Sequence, residues 1–145
     1  MTKIAALTPR EKPGVMTLLQ EAGLPASDVG DESKARFLVA REHDAVVGAV
    51  ALETYGSEAL VRSLVVSPSH RHGGLGSRLL QAAENLAAEE NVGTIHLLTE
   101  TAQRFFSKHR YQVTERGAAP EAIRSHAQFR SLCPASATLM SKRLA

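Results

Sequence analysis

The stretch Ser67-Pro68-Ser69-His70-Arg71-His72-Gly73-Gly74-Leu75-Gly76-Ser77-Arg78-Leu79-Leu80 decides how the rest of this chain is read. An apolar run (Leu60, Val61, Leu64, Val65, Val66) precedes it and an alanine- and leucine-rich segment follows, so the order is strand, glycine-rich turn, helix. Glycines at 73, 74 and 76 let successive backbone N–H groups converge without interference from a Cβ. They also stand where a helix N-terminus leaves its donors unpaired and carries partial positive charge. Such a turn holds an anion, most often a phosphate. It lacks the Gly-Lys-Ser/Thr ending that grips phosphate and Mg²⁺, which argues against a nucleotide-hydrolysing enzyme.

Upstream of the turn, residues 37–41 and 46–55 read as strands joined by a tight turn, and Gly56-Ser57 leads into a third strand over 59–66. Sequential strands with such short turns are antiparallel neighbours. Residues 4–7 read as an opening strand. Thr8-Pro-Arg-Glu11 has a helix-start signature, Pro13 moves the start toward Lys12, and Gly23 with Pro25 stops the helix carrying Val15, Leu18, Leu19 and Ala22. Residues 26–34 read as a polar loop or short helix. Downstream, Leu75, Leu79, Leu80, Ala83, Leu86 and Ala87 give a one-faced helix ending near Asn91-Val-Gly93, and a strand over 94–99 returns parallel to the one before the turn. A short helix around Phe105 and Phe106, a strand over 111–115, a helical segment over 120–126 and a last strand over 137–142 complete the order.

The 145 residues are expected to form a single domain, 1–145, with one core. Composition is that of an ordinary globular protein, 43% hydrophobic and 22% charged. Seventeen basic and 15 acidic side chains give a net charge of +2, which offers no electrostatic case for a nucleic acid partner. A single cysteine, Cys133, excludes an internal disulfide and a cysteine-cluster metal site, and the six histidines show no metal-ligand pair on a helix. The opening residues are too polar for a signal peptide and no stretch has the roughly 20 apolar residues of a membrane span, so a cytoplasmic protein without membrane partners is expected.

Val65-Val-Ser-Pro68 and Arg71-His-Gly-Gly-Leu-Gly76 resemble the Arg/Gln-x-x-Gly-x-Gly signature of the GCN5-related N-acetyltransferase superfamily, matched at Arg71, Gly74 and Gly76. Ala102-Gln-Arg-Phe-Phe-Ser-Lys-His-Arg-Tyr111 parallels that superfamily's Ala-x-x-Phe-Tyr-x-Lys-x-Gly-Phe segment, and the order of elements agrees from end to end. Within the superfamily, Arg62-Ser-Leu-Val-Val66 and the tail Pro120-Glu-Ala-Ile-Arg124 and Phe129-Arg-Ser-Leu-Cys-Pro-Ala-Ser-Ala137 are similar to the N-acetyltransferases encoded in bacterial arsenic-resistance operons (ArsN-type). The fold implied is α/β (α+β), a mixed, mostly antiparallel sheet of six to seven strands flanked by helices, with a splayed parallel strand pair at its centre. Dimers are frequent among such relatives, so a homodimer is implied.

The resemblance implies that the amides of Arg71, His72, Gly73, Gly74, Leu75, Gly76 and Ser77 hold the pyrophosphate of acetyl-CoA. It also implies that the backbone of Leu64, Val65 and Val66 pairs with the pantetheine arm. His72 stands where many relatives have glycine, a replacement accommodated by a negative φ and a solvent-facing side chain. Acetyl transfer needs a neutral amine, and an alkyl ammonium has a pKa of roughly 10, so a general base is required. Glu53, on the strand face of Ala49, Ala51 and Tyr55, is the first candidate and Glu100 the second; a solvated strand end is the other reading of Glu53. Phe106 occupies the position of the usual tyrosine acid and cannot donate, which leaves Tyr55, Ser107, Tyr111 and Cys133 as candidate donors. Arg62, Arg124 and Arg130 are candidate partners for an anionic acceptor, and Arg62, amid Leu60, Val61 and Leu64, calls for a partner or a cleft.

The expected activity is acetyl-CoA-dependent N-acetylation of a small-molecule amine, without a metal, the arsenic-operon resemblance implying an amino-acid-like arsenical or another toxic amine. A non-catalytic acetyl-CoA-binding module, motivated by Phe106, and a protein or peptide N-acetyltransferase remain as alternatives.

Overall fold

A computed structural model describes residues 2–24, 35–125 and 137–144. The expectations for residues 26–34, His126, Arg130, Cys133 and most of the 129–137 tail lie outside the described residues. The strands are β1 (Lys3–Ala6), β2 (Arg36–Glu42), β3 (Ala45–Tyr55), β4 (Glu58–Val66), β5 (Thr94–Thr99), β6 (Gln112–Val113) and β7 (Thr138–Arg143). The helices are α1 (Lys12–Glu21), α2 (Leu75–Glu89), α3 (Gln103–Lys108) and α4 (Glu121–Arg124). The strands form one sheet in the order β1-β2-β3-β4-β5-β7-β6, mixed and mostly antiparallel, as expected for the fold class. Among the described residues no helix is long and apolar enough to cross a membrane.

The chain divides into two compact units, one of Met1–Glu53 with Val61–Leu86, the other of Thr54–Leu60 with Ala87–Ala145. In the first unit, Thr8 caps a 3₁₀ turn, Pro9–Glu11, that runs directly into α1. Glu11 Oε1 accepts from both the Thr8 N–H and the Thr8 hydroxyl at 2.9 Å. Pro13 falls in the first turn of α1, where a missing N–H costs nothing, so the helix starts at Lys12 as its sequence implies. Val15, Leu18 and Leu19 of α1 pack on Phe37, Val39, Ala49, Ala51 and Val65. The opposite face of β3 receives α2. A Cβ on Gly48 would come within 2.9 Å of Leu79 Cδ1 and 3.1 Å of the Val65 carbonyl oxygen, so only glycine lets α2 seat this closely.

In the second unit, β4 and β5 are parallel through the register Glu58↔Thr94, Ala59↔Ile95 and Leu60↔His96. On its other side β5 pairs antiparallel with β7 along its whole length, Thr94↔Arg143 to Thr99↔Thr138. Leu60, Leu139, Ala119 and Ile123 form the core here, with Tyr55 and Leu98 against them.

Three helices end alike. Gly23, Asn91 and Arg110 have φ of 73°, 64° and 73°. Behind them Leu24, Val92 and Tyr111 donate back to the carbonyls of Leu19, Ala87 and Phe106, which is the Schellman geometry. This shortens one expected element. Residues 111–115 read as a strand, but the Tyr111 N–H closes α3 instead of joining the ladder, and β6 is only Gln112–Val113.

Candidate active site

β3 and β4 supply the first half of the site. Tyr55, Glu53, Ala51 and Ala49 alternate onto one face of β3. On β4, Leu60 clusters with Tyr55, Arg62 pairs with Glu53, and Val65 packs with Ala49 and Ala51. Leu60, Arg62 and Val65 therefore share a face, which strict alternation along a strand forbids. The extra residue is absorbed at Ser63, whose φ of 59° marks a bulge. Nothing in the sequence announces this bulge, because serine carries no preference for that conformation.

Glu53 and Arg62, assigned separate roles from the sequence, form one unit: Arg62 Nε donates to Glu53 Oε2 at 2.5 Å. Their side chains are 5% and 2% exposed. Arg62 Nη1 also reaches the Ser63 hydroxyl at 3.1 Å, and its guanidinium lies 5.8 Å from the centre of the Phe37 ring. The reading of Glu53 as a solvated strand end is thus overturned by its burial, and the partner that Arg62 calls for is present. Glu100 is exposed just past β5, in the second unit. Arg124 is exposed at the last residue of α4, also in the second unit.

The glycine-rich turn lies between the end of β4 and the start of α2. Ser67 N–H bonds the Val47 carbonyl at 2.8 Å, anchoring the strand end to β3. Arg71 is exposed, and its Nε donates to the Val66 carbonyl at 3.1 Å, so the signature arginine ties the turn to the strand before it. His72 corrects the expectation of a negative φ. It sits at φ 70°, in the left-handed region that favours glycine, with an exposed side chain. Gly74 is left-handed too, at φ 83°. A Cβ on Gly74 would meet nothing within 4 Å, and one on Gly73 only the His70 carbonyl oxygen at 3.9 Å. Gly73 is therefore not required by the protein's own packing, and its bareness leaves the amide face open to an incoming group.

The 15-residue α2 follows, with Gly74 accepting from Arg78 N–H at 3.1 Å. The first N–H groups of a helix have no acceptor within it, so the start of α2 at Leu75 and Gly76 is its positive end. The Leu75 side chain is buried against the sheet, so only its backbone is available to a ligand. Leu64 and Val66 are partly exposed and Val65 is buried on the α1 face. Beside the turn, His70 Nε2 lies 3.2 Å from Glu42 Oε2 and its Nδ1 lies 3.0 Å from the Ser69 hydroxyl. That contact lowers the pKa of Glu42.

A helix N-terminus and an unobstructed glycine face are features that a pyrophosphate site uses. The acetyltransferase (GNAT) domain family matches residues 33–113, which include β2 to α3, the turn and the Glu53–Arg62 pair. The chain belongs to the GNAT acetyltransferase family. A relative, the IAA acetyltransferase of Azospirillum brasilense, is 39% identical over 70 residues, which are 47% of this chain and 46% of that protein. The chain thus spans about half the length of that relative in the match. Among solved structures, N-acetylglutamate synthase from Neisseria gonorrhoeae, complexed with coenzyme A and N-acetyl-glutamate, superposes with a TM-score of 0.84 at 22% identity. That likeness covers 100% of this chain and 35% of the synthase. Rv2747 from Mycobacterium tuberculosis, solved with CoA, gives 0.84 at 18% identity over 99% of both chains. At these identities the likenesses bear on the fold.

In the second unit, Phe106 is 7% exposed and packs edge-on against Phe105 (5.1 Å) and Tyr111 (5.8 Å). The ring serves the core, and a phenylalanine does that without a hydroxyl. Of the candidate donors, Tyr111 is 2% exposed beside the Lys142 ammonium, Tyr55 is partly buried, and Ser107 is exposed.

Proposed function

We propose that this chain is an acetyl-CoA-dependent N-acetyltransferase of small-molecule amines, cytoplasmic and working without a metal. The observation that carries the reading is the family match over residues 33–113, because that span contains both the phosphate-competent turn and a buried carboxylate–guanidinium pair. The amides from Arg71 to Ser77 hold the pyrophosphate, and the backbone of Leu64, Val65 and Val66 lines the pantetheine. Acetyl-CoA supplies the thioester carbonyl that the acceptor amine attacks. Glu53 takes the amine proton, directly or through a water, and Arg62 fixes the orientation of that carboxylate while reading an anionic group on the acceptor. An acceptor carrying both an amine and a carboxylate or other oxyanion suits this pair. The narrower class, an amino-acid-like arsenical, rests on the resemblance of Arg62–Val66, Pro120–Arg124 and Phe129–Ala137 alone.

A thiol-release assay over amino acids, simple amines, arsenical amino acids and short peptides tests this reading. CoA release with an amino-acid-like acceptor is expected. Acetyl-CoA binding by calorimetry with no release across the panel would overturn it in favour of a non-catalytic module, and release with peptides alone would make the chain a peptide acetyltransferase. The turn assignment is tested separately by Gly73→Glu, which suits the backbone and has open space but places a carboxylate at the amide face. It should abolish acetyl-CoA binding with an unchanged unfolding midpoint. Gly74→Glu is the poorer test, since at φ 83° any side chain adds strain of its own.

A further inference from the structure

The second unit holds a line of three polar side chains that the acetyltransferase reading does not use. His96 of β5 is 5% exposed. Its Nε2 lies 2.7 Å from Glu58 Oε1 and its Nδ1 lies 2.7 Å from the Ser141 hydroxyl oxygen. The sheet register builds this line. His96 is directly opposite Ser141 across the β5–β7 pair and beside Leu60 in the β4–β5 pair, and Glu58 stands two residues before Leu60 on the same face. Leu60, Leu98 and Leu139 cluster on the same face beside this line, and His96, the most buried of the three, has both ring nitrogens satisfied within it.

The proton positions follow from the chemistry of the groups. An ionised carboxylate only accepts, so His96 Nε2 carries a hydrogen toward Glu58. In the neutral ring Nδ1 is then an acceptor, and the Ser141 hydroxyl donates to it. Nucleophile, base and orienting acid in one line is the arrangement that activates a serine, recognised by geometry rather than by order in the chain. We propose that Ser141 is an acyl-accepting nucleophile, with His96 as its base and Glu58 as the residue that positions His96, and that it takes acyl groups from small activated esters or thioesters. Access is from the sheet edge. Ser141 is partly exposed on β7, next to the edge strand β6, and Gln112 opposite it in register is exposed.

In the step, the Ser141 Oγ–C bond forms as the hydroxyl proton passes to His96 Nδ1. The bond from the acyl carbon to its oxygen or sulfur leaving group breaks, and that group departs with the electron pair and then takes the proton from Nδ1. No further reactant is needed. This site is independent of the glycine-rich turn, and its failure would leave the acetyltransferase reading intact.

The test treats the full chain with p-nitrophenyl acetate, follows p-nitrophenolate release, and maps the acetyl group by peptide mass spectrometry. One acetyl on Ser141 is expected, released product matching it in amount. Acylation at that residue should slow by about 10²-fold or more in His96→Gln and vanish in Ser141→Ala. An intact wild-type chain with acetyl only elsewhere, or none, overturns the proposal whatever the variants do. Wild-type rates of Ser141 acylation in a folded His96→Gln chain overturn it as well.

Discussion

Two glutamate–arginine pairs in the first unit are joined through the same atoms, arginine Nε on a carboxylate oxygen, and they do different things. Glu11 and Arg41 sit where β1, β2 and the start of α1 meet, with side chains 13% and 23% exposed. Arg41 Nη2 adds a bond to Glu11 Oε1 at 2.7 Å and another to the Ala6 carbonyl at 2.8 Å, while Glu11 also takes two bonds from Thr8. Every contact is to a chain end or a turn that needs fixing. Glu53 and Arg62 are instead nearly sealed, in a stretch of sheet whose neighbours are alanine, valine and phenylalanine. A buried ion pair contributes little net stability, since desolvation offsets the attraction, and apolar replacements of similar volume are often neutral or better. The first pair is explained by folding. The second is not, and that difference supports the catalytic role proposed for it.

The sharpest way to break this contrast is a substitution cycle on the buried pair. Arg62→Met leaves a buried carboxylate unpaired and should cost about 3–5 kcal/mol in chemical denaturation. Adding Glu53→Leu should recover most of that loss. If the pair serves catalysis, the recovered double variant should bind acetyl-CoA with near wild-type affinity and release no CoA. A double variant that is stable and turns over at the wild-type rate would show the pair to be structural and remove Glu53 and Arg62 from the site.

The half-buried pair makes the opposite prediction. The Arg41 guanidinium, with help from Thr8, pulls Glu11 from the usual 4.5 to about 2. A carboxyl whose folded pKa is depressed contributes stability that is present above its unfolded value and fades as pH falls toward the folded one. Stability should therefore decline between about pH 4.5 and 2. Its full size at neutral pH is on the order of 2–3 kcal/mol. Glu11→Gln should remove that amount and flatten the acid limb of stability against pH, with turnover per folded molecule unchanged. A loss of turnover in the folded variant would mean that the two pairs are not separable in this way.

How much of this was legible beforehand follows from how local each signal is. The succession of strands and helices along the chain, the start of α1 at Lys12 and the helix after the turn rest on periodicity and capping within a few residues, and each is found in the fold. The stops at Gly23 and Asn91 are equally local. Glu53 and Arg62 were each conspicuous as charges in apolar strands, but their pairing depends on the Ser63 bulge, a property of two strands together. Gly48 carried a readable signal, a glycine inside a strand pattern, whose meaning needs the position of Leu79 to be understood. The Glu58–His96–Ser141 line was invisible because it joins three strands through register alone. Arg110, in the place where the family segment has glycine, hid a backbone requirement that only φ reveals.

The smallest expected effect lies in the backbone. His72 and Arg110 both hold side chains in the left-handed region, one in the glycine-rich turn and one at the end of α3. The conformation costs a non-glycine residue about 1–2 kcal/mol, and glycine returns part of any gain through the greater freedom of its unfolded chain. Each glycine substitution should therefore stabilise by a few tenths to about 1 kcal/mol. The two should diverge in function. Arg110→Gly relieves strain at a helix end that Schellman bonds already fix, so the KM for acetyl-CoA should not move. If the turn holds the pyrophosphate as proposed, His72→Gly loosens it, so the KM for acetyl-CoA should rise while kcat holds. Equal KM values in the two variants would show that the turn owes its shape to its neighbours, Arg71 on the Val66 carbonyl above all, and that the side chain at 72 adds no stiffness.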